Sequence, residues 1–594
     1  MPAIVRYLIT TADERSWKFD RPVIFLGEWC RTFDRKHIWQ DMDAIVAPPY
    51  GLGQLNKDAD NAEARVIEER LFLILCDSLN QFHGTQNDSR FWRMVLGHWL
   101  RRYVDAILNR IKTLEQCLQT YKISGTTAIV GYNYTLATMD SYEAIWAFSD
   151  KRWNNQLYVS LLGQLSGNNF PIEVVEGDES EGFNLPIVIS ELPLQQKIFA
   201  WGYRQVKKLA CLMARNGDAF IINSYLPKKE EIKLQLAMGQ VPQLWASPKY
   251  ILTKKADYAL RQKLGGQLIG KSSDIHFEIM CALLFELLPA CYLEGFAELV
   301  DKVHNLPWPK NPKFIFTSNN FDTDEMFKLW AAEKVQSGAQ YITGQHGNNY
   351  GTHRYFAHPS IEEVTADKFL TWGWSDGMQQ HVPAFILNLA RRNKSYYQPN
   401  GDLLLIETSP SHMLCTWDTN AEFMVYFEDQ LTFAEKLENR IKKRLIVRLH
   451  HEHVNSIWKE QLRWARFDAD VKLDTGSLRI RQLISQSRLI VHSYDSTGIL
   501  ETLSQNIPTL AFWQNGFDHL RDSAKPYYQL LVNAGILHLT AESVAMQVNE
   551  VWCDVDSWWQ RKEVQDARNL FCERFAKISE NPIKDLKTIF YENI

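Results

Sequence analysis

The chain repeats one order of residues: a run of four or five apolar residues, a polar or glycine-bearing loop, then apolar residues at three- and four-residue spacing. Strand, loop and helix in that succession are the mark of parallel α/β layering. The runs are PVIFL at 22–26, TTAIVGY at 126–132, DAFIIN at 218–223 and KFIFT at 313–317. Further runs stand at 340–343, 367–371, 403–407, 445–449, 488–492 and 508–512, with a shorter one at 536–539. Runs this short and this apolar suit strands covered on both faces by helices.

A chain of 594 residues exceeds what one core sustains. The spacing predicts helices over 61–120, 141–165, 194–214, 420–439, 478–487 and 554–577, with Gly97-His98-Trp99 as a break in the first block. Residues 170–184, rich in acids and glycine, read as loop. The polar stretch RRNKSYYQPNGD at 391–402 reads as a linker. The expected division is therefore an α/β domain over 1–395 with a helical insertion at about 60–120, a second α/β domain over 396–575, and a tail over 576–594.

Net charge of −5 and a pI near 6.4 argue against a nucleic-acid binder, which needs a basic face. The nine cysteines are scattered, with no CxxC pair, so neither a zinc site nor a disulfide framework is expected. Free thiols suit a reducing cytoplasm. The first residues lack a signal-peptide pattern, and no apolar run is long enough to span a bilayer. Any membrane contact is expected to be peripheral, at the inner face of the cell membrane.

Four groups of residues carry chemistry. LIVHSYDSTGILETLSQNIP at 489–508 reads as strand, turn and helix. Its turn puts small hydroxyls and backbone N–H groups at a helix N-terminus, where phosphate binds well. Ser493, Asp495, Ser496, Thr497 and Gly498 are the expected phosphate holders, and Glu501 is an expected partner for ribose hydroxyls. Arg448, at the end of a strand, suits a forked phosphate contact, and His450 follows it. The loop Gln345-His346-Gly347-Asn348-Asn349-Tyr350-Gly351 offers a general base in His346 and sugar contacts from Gln345, Gly347, Asn349 and Tyr350. Glu28 and Asp322, on loops after strands, are further candidate bases.

No GxSxG, Walker A, GxGxxG after the first strand or HExxH occurs. The histidines near Arg448 lack metal-ligand spacing, and Asp322-Thr323-Asp324 opens a helix, so no metal is expected.

Two tandem α/β domains with a linker and a C-terminal helix resemble the GT-B glycosyltransferases. LGEWC at 26–30, LGHWL at 96–100, TSNNFDTDE at 317–325, GQHGNNYG at 344–351, FLTWGW at 369–374 and the 489–513 unit resemble a family of bacterial surface-carbohydrate transferases. The resemblance implies two Rossmann-like domains facing a cleft and a metal-independent glycosyltransferase. It implies no cofactor beyond a nucleotide-sugar co-substrate, with the donor at Asp495–Gly498 and Glu501. The acceptor would be a glycan, a lipid-linked glycan or a protein. No Glu-x7-Glu motif follows Glu501, since Pro508 stands seven residues on, which turns attention to a CMP-activated acidic sugar. The alternatives are a polyol-phosphate transferase or nucleotide-sugar epimerase on the same frame, and a non-catalytic carbohydrate-binding assembly protein.

Overall fold

A computed structural model describes residues 4–51, 53–131, 135–167, 169–177, 213–270, 272–355, 359–391, 397–408, 423–451 and 458–591. Contacts group the chain into two units. Unit 1 comprises Met1–Asn223 and Gln240–Tyr341, and unit 2 comprises Ser224–Gly239, Ile342–Ser411 and Asp418–Ile594 among the described residues. The chain thus passes into unit 2 near residue 342, ahead of the polar stretch at 391–402, of which 392–396 lie outside the described residues.

Unit 1 contains a five-stranded parallel sheet. Its order is Ala44–Val46, Val23–Phe25, Arg6–Ile9, Ile123–Val130, Ile172–Glu176. Arg6–Ile9 lies at its centre with Tyr7, Leu8 and Ile9 buried, a strand that the apolar-run pattern does not pick out. Ile172–Glu176 is a strand where a loop was expected: it pairs on one edge, and Ile172, Glu173 and Val174 are exposed. An edge strand with solvent on its faces has no need of an apolar pattern.

Two long helices, Gln54–His83 and Ser89–Thr120, account for the helical block. The break is not at Gly97, which is buried inside the second helix, but at Gly84, whose left-handed backbone (φ 65°) closes the first. Asp88 then caps the second helix by accepting from the Phe91 N–H at 2.7 Å. The unit also pairs Phe220–Ile221 with Phe314–Thr317 in parallel. Asp274 caps Ile275–Leu287 and Asp324 caps Glu325–Gln336, each by accepting a backbone N–H. Most of the expected helix over 194–214 lies outside the described residues.

Unit 2 is built on a six-stranded parallel sheet in the order Lys472–Asp474, Leu445–Arg448, Asp402–Ile406, Ser487–His492, Thr509–Phe512, Leu537–His538. Numbered along the chain this is 3-2-1-4-5-6, the Rossmann order. Leu489 and Val491 face the larger core, and Ile490 faces a smaller one with Leu404, Leu483 and Ile507. That two-sided burial is why the run reads as continuously apolar. A second parallel set in this unit joins residues 342–344 to Lys368–Thr371 and then to His381–Pro383. The C-terminal helices Val555–Trp559, Lys562–Phe575 and Pro582–Tyr591 complete the unit, and Trp558, Trp559, Phe571 and Phe575 join its core. No helix among the described residues is long and apolar enough to cross a membrane.

Candidate functional site

In a Rossmann-ordered sheet, ligands bind beyond the carboxyl ends of the strands where the winding direction reverses. In unit 2 that point lies between Asp402–Ile406 and Ser487–His492. Ser493 follows directly, and both its N–H (3.2 Å) and its hydroxyl (2.9 Å) donate to the Ile406 carbonyl. Tyr426, buried, shares a 2.7 Å hydrogen bond with the Ser493 hydroxyl. Ser493 is thereby committed to tying the two strand ends together.

Ser496 is the N-cap of the helix Thr497–Ser504 and accepts from the Ile499 N–H. His492 beneath the turn is buried, and burial pushes its pKa down to about 3, so it is a neutral packing group. A Cβ on Gly498 would come within 2.7 Å of the His492 ring, which is why glycine stands there. The N–H groups of Thr497 and Gly498 open the helix, where no acceptor within the helix exists for them.

The glycine-bracketed loop meets this turn. Gln345 fixes the start of the loop: its Oε1 accepts from the Trp372 N–H at 2.9 Å and from Trp374 Nε1 at 2.8 Å. Gly351 ends it with a left-handed φ of 70°, and a Cβ there would collide with the Trp374 ring at 2.3 Å. Between them, Asn348 donates its backbone N–H to Thr497 Oγ1 at 2.9 Å and its Nδ2 to Asp495 Oδ1 at 2.8 Å.

Asp495 faces inward. Its carboxylate also accepts from Tyr528 OH at 2.9 Å, and His353 Nε2 and His519 Nε2 each stand 3.1 Å from Oδ2. Burial alone would raise the pKa, but hydrogen bonds from His353 and His519 and their charge hold it far below the usual carboxylate range. Through these contacts Asp495 organises the two loops.

His346 lies on the same loop. Tyr350 OH donates to Glu362 Oε1 and lies 3.1 Å from His346 Nδ1. A hydroxyl that donates to a carboxylate accepts from the imidazole, which places the His346 hydrogen on Nδ1 and its lone pair on Nε2. The Tyr225 ring stands 5.9 Å from the imidazole. Asn349 adopts φ 79° and accepts the His353 N–H on its carbonyl at 2.9 Å.

The remaining candidates sit in other interactions. Glu501 accepts from Asn388 Nδ2 at 2.6 Å. Arg448 is paired with Asp474 and donates to the Leu478 carbonyl at 2.8 Å, both through Nη1. His450 is half-buried with its ring 4.2 Å from that of His451, and His453 lies outside the described residues. In unit 1, Glu28 pairs with Arg31 at 2.7 Å. Asp322 pairs with Arg102 at 2.5 Å, and the Arg102 charge outweighs burial and holds its carboxyl well below the usual range. A base held that far down is a poor proton acceptor at neutral pH.

Sequence reasoning missed Asn348 as a contact, although it stands in the loop motif, and missed His353, His519, Tyr528 and Asp474. It also passed over Glu407, which follows the central strand of unit 2, is buried, and accepts from Trp464 Nε1 at 3.1 Å. Burial drives its pKa well above the ordinary value, with the charge of Glu460 adding to the rise. Its place at the end of a strand beside the reversal point was the available signal.

A comparison with curated proteins gives no match. Among solved structures, the spinosyn rhamnosyltransferase SpnG complexed with spinosyn aglycone is similar at 8% identity and a TM-score of 0.33, covering 63% of this chain and 100% of its own. Anabaena Alr3699/HepE in complex with UDP and glucose is similar at 11% identity and a TM-score of 0.32, covering 53% of this chain and 89% of its own. Likeness at that level carries no argument. The family model does: it is described as LIC12162 family transferase and matches residues 6–590, so the chain belongs to that family of transferases.

Proposed function

We propose that this transferase is a glycosyltransferase of GT-B type, and that unit 2 holds a nucleotide-sugar donor beyond the strand ends at residues 406 and 492. The observation that carries the reading is the position of the 493–498 turn at the reversal point of a 3-2-1-4-5-6 sheet, opening a helix. The Thr497 and Gly498 N–H groups and the positive end of the helix suit the donor phosphate.

In the reaction, the oxygen of an acceptor hydroxyl attacks the anomeric carbon of the sugar. The bond from that carbon to the phosphate oxygen breaks, and the nucleotide leaves with its electron pair. The helix terminus stabilises the charge that develops on the leaving phosphate. His346 takes the acceptor proton at Nε2, with Tyr350 and Glu362 holding the imidazole in the required tautomer. Gln345, Gly347 and Asn349 shape the loop beside it. The acceptor is a glycan, a lipid-linked glycan or a protein, modified on the cytoplasmic side of the membrane. A CMP-activated acidic sugar is one donor consistent with a turn that lacks a second acid.

The test is to incubate the protein with UDP-, GDP-, dTDP- and CMP-sugars and to follow binding and nucleotide release by mass spectrometry. Release that depends on an added acceptor supports the proposal. Conversion of the free nucleotide-sugar identifies an epimerase instead, release of a polyol-phosphate donor's nucleotide identifies a polyol-phosphate transferase, and glycan binding with no nucleotide bound identifies a carbohydrate-binding protein.

A further inference from the structure

His353, Asp495 and His519 form a compact N, N, O donor set inside unit 2. One ligand atom from each lies within 4.8 Å of the others. His353 Nε2 and His519 Nε2 each stand 3.1 Å from the same oxygen, Asp495 Oδ2. Imidazole nitrogens and a carboxylate oxygen bind a transition-metal ion at about 2.0–2.2 Å, so small movements of the side chains about a shared centre would bring all three to bonding distance. We propose that His353, Asp495 and His519 bind a divalent transition-metal ion, and that zinc(II) is the ion their chemistry fits best.

Three features favour a site over a chance cluster. The residues are well buried, at 8% exposure for His353 and 4% for His519. The carboxylate is held ready: Asn348 Nδ2 binds Oδ1 at 2.8 Å and Tyr528 OH binds Oδ2 at 2.9 Å. Such outer partners commonly orient metal-ligating carboxylates. The backbone also brings the two histidines together, because His353 forms an antiparallel bridge with Leu520, the Arg354 N–H donates to the His519 carbonyl at 2.8 Å, and the Arg521 N–H donates to the Thr352 carbonyl at 2.8 Å.

Binding replaces the two Nε2–H contacts to Asp495 with two Nε2–metal bonds; each histidine binds as the neutral imidazole with its one hydrogen on Nδ1, and a second ring proton, where present, is released to water. Three protein ligands leave a fourth position open. Imidazole and carboxylate donors suit zinc and its neighbours among the divalent metals rather than calcium or magnesium. The ion would join the 345–353 loop, the 493–498 turn and the segment after Thr509–Phe512. The proposal departs from the sequence-based expectation of no metal. It uses no step of the proposed transfer reaction.

The test uses untagged full-length protein, stripped with a chelator and titrated with cobalt(II) and then with zinc(II). The expected result is one cobalt ion per chain with a visible absorption band, displaced by zinc, and a higher melting temperature with zinc present. His353→Ala and His519→Ala should each abolish the band. Asn348→Ala, which leaves all three ligands in place, should weaken binding about tenfold. His450→Ala with His451→Ala should change nothing. A featureless cobalt titration of the wild-type protein overturns the proposal whatever the fate of the variants, and so does a band that is lost with His450 and His451 instead. Nucleotide-sugar binding is measured separately on the stripped protein, so failure there leaves the metal result standing.

Discussion

The backbone N–H of Asn348 donates to Thr497 Oγ1 at 2.9 Å, joining two loops that are 149 positions apart in the chain. The approach is close enough that a Cβ on Gly347 would sit 3.3 Å from the same hydroxyl. Asn348 also binds Asp495 through its side chain, so one residue fixes both ends of the 495–497 turn. The glycine loop and the hydroxyl-bearing turn, separate motifs in the sequence, are one structure in unit 2.

Removing the Thr497 hydroxyl should loosen that structure without unfolding the unit. Thr497→Ala leaves the Asn348 N–H without its acceptor, a loss of about 1–2 kcal/mol, or roughly tenfold in affinity, if the turn holds the donor. Thr497→Ser keeps the oxygen and should bind as the wild type does. Calorimetry with the best donor from the panel reads the difference. Equal affinity for Thr497→Ala and wild type would remove this turn from the donor site.

His346 should act on the rate rather than on binding. His346→Gln preserves size and polarity but cannot take up a proton, so kcat should fall by about 10²–10⁴-fold while KM changes little. Tyr350→Phe keeps the ring and loses the contact that sets the imidazole tautomer. It should lower kcat less and move the acid limb of the pH–rate profile. A His346→Gln enzyme with normal kcat would remove His346 as the base.

The strands were readable because most are short apolar runs buried on both faces, as Leu489, Ile490 and Val491 show. Where that condition fails, the pattern fails too. Lys472–Asp474 is a charged edge strand, Ile172–Glu176 an exposed one, and Arg6–Ile9 offers only three buried residues after an arginine. The turn at 493–498 was equally readable as a turn, since it stands between a buried strand and an amphipathic helix. Its partners were not. Asp495 meets residues 142 positions before it and 24 after it, and no periodicity reports a contact between loops. The same limit explains the Arg448–Asp474 pair, which no spacing in the sequence reports.

Unit 1 contains a buried ion pair that should be costlier to break than to remove. Lys328 Nζ lies 2.9 Å from Glu325 Oε1, with side-chain exposures of 1% and 0%. Tyr292 and Ser141 complete the network, each within hydrogen-bond distance of Lys328 Nζ. Lys328→Met would strand Glu325 as an uncompensated buried acid and should cost about 3–5 kcal/mol. The double variant Lys328→Met with Glu325→Leu removes both charges and should recover most of that loss. Urea denaturation of the three proteins checks this, and a double variant no more stable than Lys328→Met would refute it.

The two long helices of unit 1 predict a defined pH window. His276 Nδ1 lies 2.6 Å from Glu63 Oε1, and its Nε2 lies 3.1 Å from Glu115 Oε1. Lys112 Nζ reaches Glu63 Oε2 at 2.5 Å and Asp60 Oδ1 at 2.6 Å. The hydrogen bond that His276 donates to Glu63 raises the His276 pKa above 6.5, against the effect of burial. The hydrogen bond from His276 lowers Glu63 from 4.5 to about 2, again against burial. For the histidine, stability is fully present below about pH 6.5 and is lost as pH rises through the raised folded value. For the glutamate, stability is present above about pH 4.5 and is lost as pH falls towards 2. The cluster therefore favours the folded state most between those limits. His276→Gln should remove the decline above pH 6.5 and, by taking away the largest cause of the Glu63 shift, reduce the loss on the acid side. Melting temperatures of wild type and variant from pH 3 to pH 9 supply the comparison. Parallel curves across the whole range would mean that this cluster does not set the pH response, because its contribution has to change with the charge on His276.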